Sequence, residues 1–262
     1  MPVPNVTWQL TNATVPLGIV AGVSHTRRRG RRDRRDRAMT TTNLTELVFI
    51  VDRSGSMGGL ESDTIGGLNA TLNKNRAAEG DAIVSIVLFD NVSEVIVDRK
   101  DIREVSPLTE RDYSVRGCTA LLDAVGDAIH YTAKVQGYMP QGHKADHVVF
   151  AIITDGQENA SNHRSYDEVK RMIEEKTAQG WEFLFLGANI DAAAEAGRMG
   201  IRADRAANYV ADGAGSSLAY EAIADAQVAL RDSGTIDAAW AAAPAADAAR
   251  RAPKRRGGFF RR

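Results

Sequence analysis

The 262-residue chain is 44% hydrophobic and 26% charged with a net charge of −1, a composition that excludes a disordered polyelectrolyte and suits a soluble, core-forming protein. The near-neutral total hides an asymmetry: residues 27–37 hold eight Arg against two Asp, residues 250–262 hold seven Lys or Arg and no acid, and the remainder carries 18 basic and 32 acidic residues. The single cysteine, Cys118, excludes an intramolecular disulfide and points to a reducing, cytoplasmic setting. The short apolar stretch Val15 to Val23 precedes its arginines, the wrong order for a secretory signal, and no segment approaches the ~20 apolar residues of a membrane span.

Residues 1–38 show neither helix nor strand period, and the arginine run stops at Met39, beyond which Thr40 to Glu46 lead into an apolar run. This beginning reads as an over-extended gene start, with translation starting at Met39. Consecutive Arg codons resemble the purine-rich ribosome-binding sequence of a bacterial gene. The competing reading is a basic, disordered arm over 1–43 that binds nucleic acid or anionic lipid.

A body over 44–232 follows, in which strands and helices alternate. Leu47 to Val51 are five consecutive apolar residues, the pattern of a strand buried on both faces, and the first strand is expected over 46–52. A helix over 61–78 uses Leu60, Ile65, Leu68 and Leu72, with Gly66 and Gly67 weakening it locally and permitting close packing on the sheet. A second strand over 82–90 turns at Asn91 into VSEVIVD, whose alternation suits a half-exposed antiparallel edge. Helices are expected from Thr119 to Val135, over 166–179, over 192–198 and over 216–231. Strands are expected over 147–154, over 181–187 and over 208–211. The fold class is therefore α/β: a doubly wound, mostly parallel sheet with one antiparallel edge strand.

Chemistry concentrates where two of these strands end. Asp52, Ser54 and Ser56 form an Asp-x-Ser-x-Ser turn at the carboxyl end of the first strand, where open α/β sheets place their ligands. Alone, that turn is equally a polar cap for the next helix. One carboxylate and two hydroxyls are oxygen donors suited to Mg²⁺ or Mn²⁺. Thr119 stands after Gly117-Cys118 and just before an apolar helical pattern, and a second buried strand, VVFAIIT, ends on Asp155-Gly156.

With these three segments the chain resembles the von Willebrand factor type A (VWA) family over roughly residues 44–210, as a stand-alone bacterial member. The metal-ion-dependent adhesion site of that family maps onto Asp52, Ser54, Ser56, Thr119 and Asp155 without substitution. The resemblance implies a Rossmann-like fold and a metal site for Mg²⁺, with Mn²⁺ or Ca²⁺ as alternatives. It also implies recognition of a partner's Glu or Asp through the ion, in a protein that is not an enzyme. Stand-alone bacterial members suggest an ATPase or a stress-response component as the partner. Hydroxyls can bind such an ion while donating their protons to a carboxylate behind them, and Asp52 and Asp155 formally balance its charge.

Met57, Gly58, Gly59, Gly117, Cys118, Gln157, Glu158 and Asn159 adjoin these positions and are candidate rim residues, with Glu158 read as an exposed loop charge. His143, His147 and His163 have no Cys or carboxylate partner at zinc spacing and read as surface histidines. Two further functions belong to other classes. A Mg²⁺ phosphohydrolase would use Asp52 as nucleophile, yet position 54 is Ser54 where that chemistry wants a second carboxylate, and no lysine lies nearby in sequence. A nucleic-acid-binding module would act through the Arg-rich ends. Residues 233–262, Ala- and Pro-rich and then basic in KRRGGFFRR, are expected to be a disordered tail.

Overall fold

Alternate residues of the first strand face opposite layers of the molecule, and both layers are apolar. In β1 (Leu44–Asp52), Leu47, Phe49 and Val51 enter one core and Val48 and Ile50 the other. All five are essentially solvent-free. Each such side chain is worth about 1.5–3 kcal/mol of burial as an upper estimate. The structure, a computed structural model, describes residues 43–140 and 142–252. The arginine-rich arm, Met39 and residues 253–262 lie outside the described residues.

β1 pairs in parallel with β2 (Asp81–Phe89) on one side and β4 (His147–Thr154) on the other. β3 (Ser93–Asp101) runs antiparallel to β2 at one edge, while β5 (Glu182–Gly187) and β6 (Ala206–Asn208) continue in parallel to the other edge. The strand order is β3-β2-β1-β4-β5-β6. One core holds residues of α1 (Glu61–Ala77) and α5 (Gly213–Ser233), the other residues of α2 (Leu121–Tyr138), α3 (Tyr166–Ala178) and α4 (Ala192–Arg198). The expected doubly wound sheet with an antiparallel edge is thus observed. Its order reverses between β1 and β4, so a crevice opens at the carboxyl ends of those two strands.

Gly67 explains how α1 approaches α5: a Cβ there would lie 2.1 Å from Tyr220 Cδ2. No side chain fits, and glycine is the residue that lets the helices close.

Two expectations are corrected. The last strand lies over Ala206–Asn208, not 208–211, because β5 ends at Gly187 and offers no partner backbone beyond it. Asp212 then caps α5, accepting from the Gly215 amide. The tail is not disordered from 233: α6 (Ala242–Arg251) forms, and Ile236, Ala241, Pro244 and Asp247 are buried. Pro244 falls in the first turn of α6, where amides lack helical partners anyway, so it is compatible with the helix. Arg250 and Arg251 both pair with Asp247. Among the described residues no helix is long and apolar enough to cross a membrane.

Candidate metal centre

Three loops converge above the β1/β4 crevice, and each is brought there by a strand or helix end. Asp52 is the last residue of β1 and is fully buried. Its Oδ1 accepts from the Ser54 amide at 2.6 Å and its Oδ2 from the Thr154 hydroxyl at 2.6 Å. The chain then forms a 3-10 turn over Gly55–Met57, which presents Ser54 and Ser56 on one side with their hydroxyl oxygens 3.0 Å apart. Ser56 Oγ donates to Asp155 Oδ1 at 2.5 Å, joining the end of β1 to the end of β4.

Thr119 completes the group from the third loop. The Gly156 backbone reports the convergence directly: a Cβ built there would lie 3.1 Å from Thr119 Oγ1, 3.2 Å from Ser56 Oγ and 3.9 Å from Asp52 Oδ2. Oxygens of Asp52, Ser56 and Thr119 therefore face one small space that glycine leaves open, and Asp155, from the end of β4, joins them through Ser56. Asp52, Ser54, Ser56, Thr119 and Asp155, separated by up to 103 positions, are together. Ser56 is exposed, whereas Ser54, Thr119 and Asp155 are buried.

The electrostatics suit a cation. Burial raises the Asp52 carboxyl above its ordinary range, hydrogen bonds from Thr154 and Ser54 pull it back, and the charge of Asp155 pushes it up again. Burial likewise raises Asp155, and the Ser56 hydroxyl opposes that shift. Among the described residues neither carboxylate has an ion pair with Lys or Arg. Two desolvated, unneutralised carboxylates beside three hydroxyls fit a hard divalent ion through oxygen donors. No cluster of three or more His, Cys, Asp or Glu is placed for a metal among the described residues, so any site here rests on hydroxyls as much as on carboxylates.

Sequence reasoning missed Thr154 and Asp90, read Asn91 only as a turn, and named Gly117 and Asn159 only as rim neighbours; the structure shows that these residues hold the loops. Thr154, the one polar side chain ending an apolar strand, braces Asp52 and also accepts from the Gly156 amide. Asn159 Oδ1 accepts from the Thr119 amide, and the Thr119 carbonyl accepts from the Asn159 and Ala160 amides. Asn91 Oδ1 accepts from the Cys118 amide, and Gly117, at φ 68°, has no room for a Cβ beside that oxygen. Asp90 is buried and takes Arg53 Nε at 2.9 Å and Arg116 Nε at 2.6 Å, while its backbone carbonyl accepts from Ala120.

Two rim expectations change. Glu158 is half-buried and accepts from the Leu122, Ala160 and Ser161 amides and the Ser161 hydroxyl, so it ties the Asp155 loop to the start of α2. Met57 is buried, so it does not form part of the rim. Gly58, Gly59, Cys118 and Gln157 are exposed there.

No family model matches the chain, and no curated protein does. Solved structures similar to it include proximal thread matrix protein 1 from the mussel byssus with a zinc-occupied MIDAS motif, at 16% identity and a TM-score of 0.49 over 71% of this chain and 46% of that one. Another is a von Willebrand factor type A structure from Catenulispora acidiphila, at 16% identity and a TM-score of 0.49 over 71% of this chain and 42% of the other. A third is the manganese-loaded TRAP protein of Plasmodium vivax, at 16% identity and a TM-score of 0.41 over 56% and 57%. The chain spans less than half the length of the first two.

Proposed function

We propose that this protein is a divalent-metal-dependent protein-interaction module of the VWA type, which binds an acidic side chain of a partner through an ion held by Asp52, Ser54, Ser56, Thr119 and Asp155. The observation that carries the reading is the convergence of hydroxyl and carboxylate oxygens from three loops beside Gly156. The resemblance of the motif residues to a metal-ion-dependent adhesion site supports it. Mg²⁺ or Mn²⁺ are the ions the donor set favours, since both take oxygen ligands.

The roles follow from each environment. Asp52 and Asp155 supply the negative charge that retains the ion. Asp52 is held rigid through both of its oxygens, and Ser56 links Asp155 to Ser54, whose amide donates to Asp52. Ser54, Ser56 and Thr119 contribute neutral oxygens, so ligation does not over-neutralise the ion. When bound, the ion would supply a positive centre able to accept a carboxylate from outside. Exposed Ser56, flanked by exposed Gly55, Gly58 and Gly59, leaves the approach sterically open.

Binding, not catalysis, is the reading because Ser54 stands where a phosphohydrolase would carry its second carboxylate. The neighbouring cations Arg53 and Arg116 are engaged by Asp90. The described body, with its acidic excess, disfavours nucleic acid. The test is capture of partners by the full chain in Mg²⁺ or Mn²⁺, in chelator, and with Thr119→Ala. Partners retained in Mg²⁺ and lost in both other conditions support the reading. Partners retained equally in chelator contradict it.

A further inference from the structure

The loops that carry the five oxygen-bearing residues, 53–60, 113–120 and 155–165, hold the basic side chains Arg53, Arg116 and Arg164. Arg53 is buried, and Arg164 is turned to Asp127 at 2.8 Å. Arg116 differs: its side chain is 56% exposed, three residues before Thr119. The described body around it is acidic. Of the 33 Lys and Arg, eight lie in 1–42 and five in 253–262, leaving 20 in the described body against 32 of the 34 acids. An exposed guanidinium beside the metal centre is therefore a local exception in charge.

We propose that Arg116 is a specificity-determining residue of the partner site: it takes a second carboxylate of the partner, two residues from the Glu or Asp that reaches the ion. This rests on the metal-dependent reading and narrows the partner to a segment with paired acids. The guanidinium is held in place before any partner arrives. The Arg116 amide donates to the Arg53 carbonyl at 2.8 Å, the Gly55 amide donates to the Gly117 carbonyl at 3.1 Å, and Arg116 Nε donates to buried Asp90 Oδ2 at 2.6 Å. A guanidinium pinned at Nε has little freedom left to lose on binding.

The Nη1–Nη2 edge of that fork is unused. Among the described residues neither Nη makes a hydrogen bond, and Nη2 is 3.9 Å from Glu94 Oε2, beyond hydrogen-bond range. Glu94 is committed instead to Arg53, at 2.6 Å. Two parallel N–H groups on one edge match a carboxylate. Spacing agrees with this. Asp52 pairs with Phe89, so Asp90 leaves β2 beside the end of β1. Strands lie about 4.8 Å apart, which puts β2 about 7 Å from the middle of the β1/β4 crevice. In an extended segment, side chains two residues apart share a face and stand about 6.6–6.8 Å from each other. One carboxylate then meets the ion while the next on that face meets Arg116.

The test is calorimetric titration of three short alanine peptides into the Mn²⁺-loaded full chain, Arg116→Gln and Arg116→Lys. One peptide carries two Glu separated by one Ala; each of the others has Gln in place of one of these Glu. The two-Glu peptide should bind the full chain at least about fivefold more tightly than either one-Glu peptide, above the roughly twofold that two equivalent carboxylates give by counting alone. Arg116→Gln should remove that gain, and Arg116→Lys should keep part of it. A gain of about twofold or less in the full chain overturns the proposal, as does a gain that survives in Arg116→Gln. Equal weakening of all three peptides in Arg116→Gln also overturns it, since that is the mark of a merely structural residue. Failure of the metal reading looks different: peptides that bind no better in Mn²⁺ than in chelator contradict that reading, and the proposal with it.

Discussion

Gly156→Ala is the substitution that most sharply separates the metal centre from the fold. The added Cβ would lie 3.1 Å from Thr119 Oγ1 and 3.2 Å from Ser56 Oγ, so both hydroxyls must give by a few tenths of an ångström. A metal site tolerates about 0.2 Å in its ligand distances, and disturbing the surroundings of ligands costs about 10–100-fold in affinity. That range corresponds to about 1.4–2.8 kcal/mol. The backbone at Gly156 lies outside the left-handed region, so alanine is admissible there. Its gain of about 0.4–1 kcal/mol from a stiffer unfolded chain offsets part of about 1–3 kcal/mol of crowding. Calorimetric titration of Mn²⁺ into metal-stripped full chain and variant, beside thermal melts of both, should therefore show weakened binding and a melting temperature lowered by no more than about 10 °C, with the variant still folded. Wild-type affinity in a folded Gly156→Ala protein would refute the idea that these oxygens share one ion.

The remaining predictions concern charge and loop support. Because burial raises Asp52 and Asp155 above 3.8 in the metal-free fold, that fold gains stability at low pH and loses it as pH rises through the raised values. Metal affinity runs the other way and should fall as pH drops into the same window; titrations at several pH values that show constant affinity would contradict this. Glu158→Ala leaves the Leu122, Ala160 and Ser161 amides and the Ser161 hydroxyl without their acceptor and should cost about 1–3 kcal/mol in urea unfolding. A smaller loss in Glu158→Gln would be expected, and no loss in Glu158→Ala would show the contacts to be idle. Asp90→Ala strands Arg53, whose side chain is 4% exposed, and should cost about 3 kcal/mol; a loss below about 1 kcal/mol would show that Glu94 suffices as its partner.

The five oxygen-bearing residues were legible because each stands at the end of an element that the sequence marks clearly. Asp52 and Asp155 terminate apolar runs, and Thr119 precedes an amphipathic helix. Their supports were not legible, because they act across large separations: Thr154 reaches Asp52 over 102 positions and Asn159 reaches Thr119 over 40. No local pattern reveals such a pairing. Glu158 looked like a loop charge because its donors are amides, which every residue carries. The edge strands were read by periodicity alone, so β6 was displaced toward Tyr209 and Val210, although the end of β5 decides where it can pair. Local composition also misread residues 233–252. Alanine and proline signal disorder by themselves, while Ile236 and Ala241 enter the core and the Trp240 indole donates to the Asp204 carbonyl. That order comes from tertiary contacts.

The measurement that tests the central claim most directly is calorimetric titration of Mg²⁺ and Mn²⁺ into the metal-stripped full chain and its Asp52→Ala variant. The account predicts saturable binding of about one ion per chain, absent in the variant, with both proteins folded. Absence of binding in the full chain, or equal binding by Asp52→Ala, would contradict it.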